Sequence, residues 1–414
     1  MKIADFPLVL AVAFWAVILA ATARAAEPRS PALANVASDE GQSESKEGDD
    51  TSQLIERVTY SENGEQHTVA GRVLIEAQDG GLLLESADGA QHTIEGRGVL
   101  SREKTTATFK PLSAKELGEH LLAQLPAGFR VHTTPHYVIC YNTSREYAEW
   151  TSSLFERLYK AFTNYWRRQG MQLHEPEFPL AVIAFADKSA YEAASRDDLG
   201  DAARNIVGYY HLKTNRVYTY DLTGAQSSLA QTPGNRRGSL REINQMLSQR
   251  AAVPLVSTIV HEATHQIAFN CGLQTRLSDI PLWLCEGMAV YFEAPDLTSS
   301  RGWRGIGRVN YPRLSTFRRN QASWGRETLV TMLAENEHFR DPRTAAAAYA
   351  DAWALNYYLI KYHPREYAAY LKTLAKKPPL VEDDADTRLE EFKAQFGDLR
   401  SVERDFLQKM SRVE

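Results

Sequence analysis

The sequence predicts an α+β protein in which a small all-β, barrel-like module precedes a larger domain with a mixed sheet and a helical C-terminal part. Three observations predict it. Between about residues 55 and 110 apolar residues alternate in short runs, Val69 to Ile75, Leu82 to Leu84 and Thr93 to Ile94, separated by Asp79-Gly-Gly81 and Asp88-Gly89, which are hairpin signals. From Leu112 to Tyr220 strand-length apolar runs alternate with helix-length amphipathic ones. From Glu327 onward only the helical period remains.

The chain opens on Lys2 and an apolar run from Phe6 to Ala21, followed by Ala23-Arg-Ala25, small residues at the two positions a signal peptidase reads. Residues 1–25 are therefore expected to be a signal peptide removed on export to a periplasmic, cell-envelope or extracellular location. No later stretch approaches 18 apolar residues, so no membrane span is expected after cleavage. Residues 26–53 carry few large apolar side chains and are expected to be a disordered linker. Residues 55–110 form the β module, a spacer or a binding unit, since no aromatic cluster or charge concentration marks a site on it.

The main domain is expected over residues 112–376, with 377–414 as a helical extension. Ser113 to Leu125 reads as a helix and His136 to Tyr141 as a strand, and Thr143 with Glu146 reads as a capping box that opens a helix to Gln169. Trp150, Leu154, Leu158, Phe162 and Tyr165 fall on one face of that helix, a core stripe. Phe178 to Phe185 is a buried strand, and Val207 to Tyr210 with Arg216 to Tyr220 is a hairpin around Lys213-Thr-Asn215. Leu297 to Trp324 reads as irregular. Helices follow at Glu327 to Glu335, Thr344 to Tyr362, Pro364 to Lys376 and Thr387 to Ser411. Asp383-Asp-Ala-Asp386 lacks the glycine and distal glutamate of a calcium loop and reads as a solvated turn.

A formal charge of -5 with interspersed signs leaves no basic stripe, which argues against a nucleic-acid partner. Three cysteines, Cys140, Cys271 and Cys285, are too few for a disulfide scaffold. Cys271 and Cys285 could bridge in an oxidising compartment, but their apolar surroundings fit small buried hydrophobes better.

The chemistry concentrates in His261-Glu-Ala-Thr-His265 and in Glu286, twenty-one positions past the second histidine. Pro254 suits a first helical turn, Leu255, Ile259 and Ile267 recur at near-helical spacing, and Cys271-Gly272 supplies a stop, so the motif lies on a helix. Residues four apart share a helix face, so His261 and His265 can bring two imidazole nitrogens to one ion at about 2 Å. Glu262 projects beside them, poorly placed as a ligand and well placed to take a proton from water. Glu286 is the candidate for the third ligand. It is the one acid within an apolar run of Leu282, Trp283, Leu284, Met288, Ala289 and Val290, where a carboxylate is costly unless it is paired or holds a metal. Glu293, seven residues on, faces a similar direction and is the alternative. The ion this donor set suits is zinc (Zn2+).

These residues resemble those of the gluzincins, zinc metallopeptidases that pair His-Glu-x-x-His on one helix with a glutamate on the next. Within them the chain looks most like a family of secreted bacterial proteins classed as a domain of unknown function and described as peptidase-MA-like. The resemblance runs over roughly residues 130 to 375 and includes Thr133 to Ser144, Asn205 to Tyr210, Asn215 to Asp221 and Tyr349 to Leu355. It implies a gluzincin-like zincin domain, His261, His265 and Glu286 as zinc ligands, and Glu262 as general base. It also implies a strand beside the metal helix, and the edge of the Val207–Tyr210 hairpin could pair with an extended peptide. The stretch from Tyr349 resembles the helix that carries the transition-state tyrosine in the aminopeptidase branch, which implies Tyr349 as an oxyanion donor. His136 and His211 are alternative donors or, the simpler reading, ordinary partly exposed histidines. Two departures narrow the subfamily. A metzincin would place a glycine and a third histidine where Ala268 and Cys271 stand, and the Gly-x-Met-Glu-Asn segment of gluzincin aminopeptidases is missing between Asp221 and Pro254.

The expected function is an exported zinc-dependent metallopeptidase acting on a peptide or protein. The alternatives are a non-catalytic zinc-containing cell-envelope binding protein and a zinc amidase with a non-protein substrate.

Overall fold

The sheet that the N-terminal module builds is open, not a barrel. In the computed structural model, which describes residues 54–224, 239–298, 303–321, 324 and 327–414 and the backbone of residues 9 and 10, the module consists of β2 (Leu54–Glu62), β3 (Glu65–Glu76), β4 (Leu82–Ser86), β5 (Gln91–Ile94) and β6 (Val99–Thr108), all antiparallel in the order β5-β4-β3-β2-β6. The barrel expected from the hairpin signals does not close, because β5 and β6 end on opposite edges. The physical reason lies in β4. Leu82 and Leu84 join Val58 and Ile94 in a small core on one face, while Leu83 points the other way into the core of the main domain. The second face is therefore covered by the main domain instead of by its own curled sheet. Buried polar groups fasten this contact. Glu85, 3 % exposed, accepts from Arg276 at 2.6 Å, from Arg72 at 2.9 Å and from Gln91 at 3.1 Å. Arg276 also donates to the carbonyl of Gly89 at 2.8 Å.

The main domain begins with α1 (Ala114–Gln124), opened by a Ser113 and Glu116 capping box. There follow β7 (Arg130–Thr133), β8 (Tyr137–Tyr141), α2 (Arg145–Arg168), β9 (Leu180–Phe185), α3 (Lys188–Ala194), α4 (Arg196–Leu199), β10 (Gly208–His211) and β11 (Arg216–Tyr220). With β1 (Val9–Leu10) they make a mixed sheet in the order β1-β10-β11-β9-β8-β7, in which β9 runs parallel to β8 and β11 and the other pairs are antiparallel. Beyond β1, the expected leader and linker lie outside the described residues. The cap of α2 is Ser144, one residue later than the expected Thr143, and its hydroxyl accepts the Tyr147 N–H at 3.1 Å. Of the expected stripe, Trp150, Leu154, Leu158 and Phe162 are buried and Tyr165 is half-buried against the same core.

The helical part comprises α5 (Leu240–Leu247), α6 (Val253–Asn270), α7 (Leu282–Phe292), α8 (Tyr311–Asn320), α9 (Thr328–Ala334), α10 (Glu337–Arg340), α11 (Ala345–Tyr362), α12 (Pro364–Leu374), α13 (Ala385–Phe396) and α14 (Leu399–Met410). Two expectations are corrected here. The segment read as irregular contains α8, capped by the Asn310 side chain with a proline in its first turn. The single helix expected over 387–411 is two, broken where Gly397 adopts φ 84° and Asp398 caps the next helix. Residues 377–414 pack into the main core through Phe392, Phe406 and Met410. All three cysteines are free and buried. Among the described residues no helix is long and apolar enough to cross a membrane.

Candidate metal centre

Helix α6 is buried along nearly its whole length, from Val256 to Asn270, and a helix buried on all sides must give every polar side chain a partner. Five of its polar residues form two stripes, and Thr258 and Thr264 bond back to the carbonyls of Pro254 and Val260. Glu262, Gln266 and Asn270, four apart, face the β10–β11 hairpin: Glu262 Oε2 accepts the Tyr210 N–H at 2.8 Å, Gln266 donates to the carbonyls of Ala181 and Asn215 at 2.9 and 3.0 Å, and Asn270 exchanges hydrogen bonds with Asn215 at 2.7 and 2.8 Å. Asn215 makes this turn possible by adopting φ 60°, a left-handed conformation asparagine tolerates. The hairpin is thereby fixed against the helix, with β10 alongside Glu262.

The second stripe, His261 and His265, faces α7. His261 Nε2 lies 3.0 Å from His265 Nε2 and 3.0 Å from Glu286 Oε2, and His265 Nε2 lies 3.6 Å from the same oxygen. The three residues are 0 %, 0 % and 2 % exposed. A tetrahedral zinc with bonds of about 2.0–2.1 Å needs ligand-to-ligand edges of roughly 3.3–3.4 Å. The observed triangle of 3.0, 3.0 and 3.6 Å fits that requirement with shifts of a few tenths of an ångström. With no ion between them, burial would lower the His261 pKa, but the Glu286 and Glu293 carboxylates outweigh it and hold the ring protonated up to about 10. Burial, together with the cation on His261, lowers His265 against the pull of Glu286. The Glu286 carboxylate is kept ionised by the two rings despite its burial. Two imidazoles and a carboxylate held this close would each gain from a shared cation.

Residues 255–381 match a family described as a protein of unknown function (DUF1570). No curated protein matches the chain. The DUF1570 region begins on α6 and takes in all three candidate ligands, Glu262 and Tyr349, and it leaves the β module, α2 and the β10–β11 hairpin outside.

Several partners of this cluster were not legible as such from spacing. Glu293, the alternative ligand, sits on the far side of the His261 ring, with Oε2 3.2 Å from Nδ1 and Oε1 accepting from Asn310 at 2.8 Å. It orients the ring instead of joining the triangle. His265 Nδ1 faces the Cys285 thiol at 3.5 Å, and that thiol in turn faces Gln274 at 3.6 Å. Tyr349 lies on α11, where burial and then the nearby Glu286 and Glu262 charges raise its pKa well above the usual phenol value. Arg313 stands 5.5 Å over its ring. The other two donor candidates are engaged away from the cluster: His136 pairs with Glu156 at 2.7 Å and Glu175 at 3.2 Å, and His211 faces Asp198 at 3.5 Å and accepts the Thr214 N–H at 3.1 Å.

What brings Tyr349 to Glu286 is a backbone approach between α7 and α11. A Cβ on Gly287 would fall 2.1 Å from Asn356 Nδ2 and 2.4 Å from the Ala352 carbonyl oxygen. Asn356 bridges the two helices by donating to the Trp283 and Ala352 carbonyls, each at 2.8 Å.

Proposed function

We propose that the protein is an exported, zinc-dependent metallopeptidase of the gluzincin type, with His261, His265 and Glu286 holding the ion. The observation that carries this reading is the combination of a metal-sized donor triangle with a buried glutamate, Glu262, whose charge bears on both His261 and Tyr349. A purely structural site has no need of such a base. Zinc bound there would supply Lewis acidity, lowering the pKa of water and polarising a carbonyl oxygen. Glu262 would take the proton at its carboxylate, held in place by the Tyr210 N–H. The Tyr349 hydroxyl would donate to the oxyanion that forms at the attacked carbonyl. Support for an extended peptide as substrate comes from the outer edge of β10, which takes Val9–Leu10 of the same chain as an antiparallel strand and would be freed by removal of residues 1–25. Export follows from the leader, and N-terminal sequencing of protein from its host should begin near Ala26; an uncut chain would remove that part of the reading.

One observation favours a second reading, a non-catalytic metal protein: all three ligand side chains are buried, as in closed structural sites. Replacing Glu262 by glutamine separates the two. The metal should stay in both cases. Hydrolysis of a diverse peptide pool should fall by roughly a hundredfold to ten-thousandfold if Glu262 is the base. Zinc-dependent hydrolysis undiminished in Glu262→Gln would defeat the mechanism, and a wild type inert on every pool would favour the structural reading.

A further inference from the structure

The two imidazoles of the candidate metal centre are supported from behind by different chemistry. His261 Nδ1 faces the Glu293 carboxylate at 3.2 Å, whereas the one partner of His265 Nδ1 among the described residues is the Cys285 sulfur at 3.5 Å. Cys285 and Glu286 are consecutive on α7, and consecutive residues lie about 100° apart around a helix. One turn of α7 therefore meets the His265 ring on two sides, with Glu286 Oε2 3.6 Å from Nε2 and Cys285 Sγ at Nδ1. The free thiol is 2 % exposed and reaches one further polar atom among the described residues, Gln274 Oε1 at 3.6 Å. Gln274 stands on the loop between α6 and α7, is equally buried, and is tied to α6 by its backbone N–H, which donates to the Ala268 carbonyl at 3.1 Å. An imidazole that offers Nε2 to an ion carries its proton on Nδ1, and that fixes the rest of the line. The sulfur accepts the Nδ1 proton and keeps its own hydrogen for Gln274 Oε1. Turning the amide over would set two N–H groups against the sulfur and leave the thiol hydrogen with no acceptor, and Gln274 Nε2 has no partner that would hold the amide from its other end.

We propose that Cys285 is a positioning residue: its sulfur accepts the Nδ1 proton of His265 while its S–H donates to Gln274, a relay that keeps the ring in the tautomer whose Nε2 can hold an ion. Without the sulfur the Nδ1 proton would be buried with no acceptor, a costly state. The ring would escape it by turning or by moving the proton to Nε2, and either change would withdraw Nε2 from the triangle. That the ion is zinc rests on the function proposed above; the tautomer does not.

The experiment reads the tautomer first and the metal second. Nitrogen-15 NMR of the zinc-free full chain with labelled histidine, the His265 signals being identified by their loss in His265→Gln, should find the proton on Nδ1. Cys285→Ala and Cys285→Ser leave nearly the same space and differ in the hydroxyl, so any shared effect on folding cancels in their comparison. The alanine variant should shift the proton toward Nε2, and the serine variant, which keeps a donor and an acceptor, should hold it on Nδ1. In a competitive zinc titration Cys285→Ala should weaken binding by roughly tenfold to a hundredfold, the scale of a lost partner behind a metal-bound histidine. Cys285→Ser should recover most of that loss. A proton on Nε2 in the wild type, an unchanged tautomer in Cys285→Ala, or equal zinc loss in the two variants would overturn the relay. The expected tautomers in a chain that binds no zinc would leave the relay standing and defeat the metal reading.

Discussion

Replacing Gly287 by alanine should damage the fold and the metal centre together. In an ordinary mid-helix position the change would be favourable by about 1 kcal/mol, because alanine loses less backbone entropy than glycine on folding. Here the new Cβ would fall 2.4 Å from the Ala352 carbonyl oxygen and 2.1 Å from Asn356 Nδ2, where carbon contacts relax only near about 3.5 Å. The amide can rotate away, but it then gives up its bonds to the Trp283 and Ala352 carbonyls. The backbone oxygen cannot, so α11 must retreat by about 1 Å. Overpacking of this kind costs about 1–3 kcal/mol, and loss of the amide bridge adds about 1–2. Less the propensity gain of about 1, the net cost of about 1–4 kcal/mol should appear as a fall in Tm of about 1–5 °C, at an unfolding entropy of about 2.1 cal/mol/K per residue. Because Glu286 precedes the substituted residue and Tyr349 lies one turn before Ala352, the same retreat should loosen zinc and slow any turnover, on the order of a hundredfold for a 1 Å displacement. Scanning calorimetry and a competitive zinc titration measure the two effects. A Tm that rises, as ordinary helix propensity dictates, with zinc affinity unchanged would refute the close approach of α7 and α11.

Three further outcomes are expected. Glu293→Gln keeps the bond to Asn310 but removes the charge that orients His261, so zinc affinity should fall by roughly ten- to a hundredfold; retention of full affinity in a competition with a chelator would return Glu293 to a packing role. Glu85→Ala leaves Arg276 buried without its carboxylate, 6 % exposed at the side chain, and should destabilise the chain by about 3–5 kcal/mol in a denaturant titration; an unshifted midpoint would mean that the contact between module and main domain carries no weight. Burial raises the folded-state pKa of Asp351 from 3.8 to about 7, so its contribution is fully present below the unfolded value and is lost as pH rises through about 7. Asp351→Asn should therefore match the wild type in acid and exceed it at pH 8 by up to about 4 kcal/mol, and parallel pH profiles of Tm for the two proteins would show that the carboxyl is not buried in solution.

The cluster of candidate ligands was legible because its spacing is set by helix geometry alone. Residues 261 and 265 share a face in any helix, and a lone acid in an apolar run such as 282–290 demands a partner wherever the run folds. Glu286 and Glu293 could not be ranked that way. Seven residues apart they point in nearly the same direction, and only the height of α7 against α6 decides which carboxylate meets Nε2 and which meets Nδ1. The hairpin at Lys213-Thr-Asn215 was legible from its own strands, but its attachment to Gln266 and Asn270 was not, because amides satisfied at a distance of about fifty residues leave no local pattern. The barrel was misread for a related reason. Alternation in β2 to β6 shows that one face is apolar, and it does not show that Leu83 and Glu85 belong to a second buried face. That face brings Arg276, from the loop joining α6 and α7, onto Glu85 of the module. The loop sets the separation of α6 and α7, and so the distance from His261 to Glu286. A module that reads in the sequence as a spacer or a binding unit thus braces, through one buried ion pair, the part of the chain on which the candidate metal centre depends.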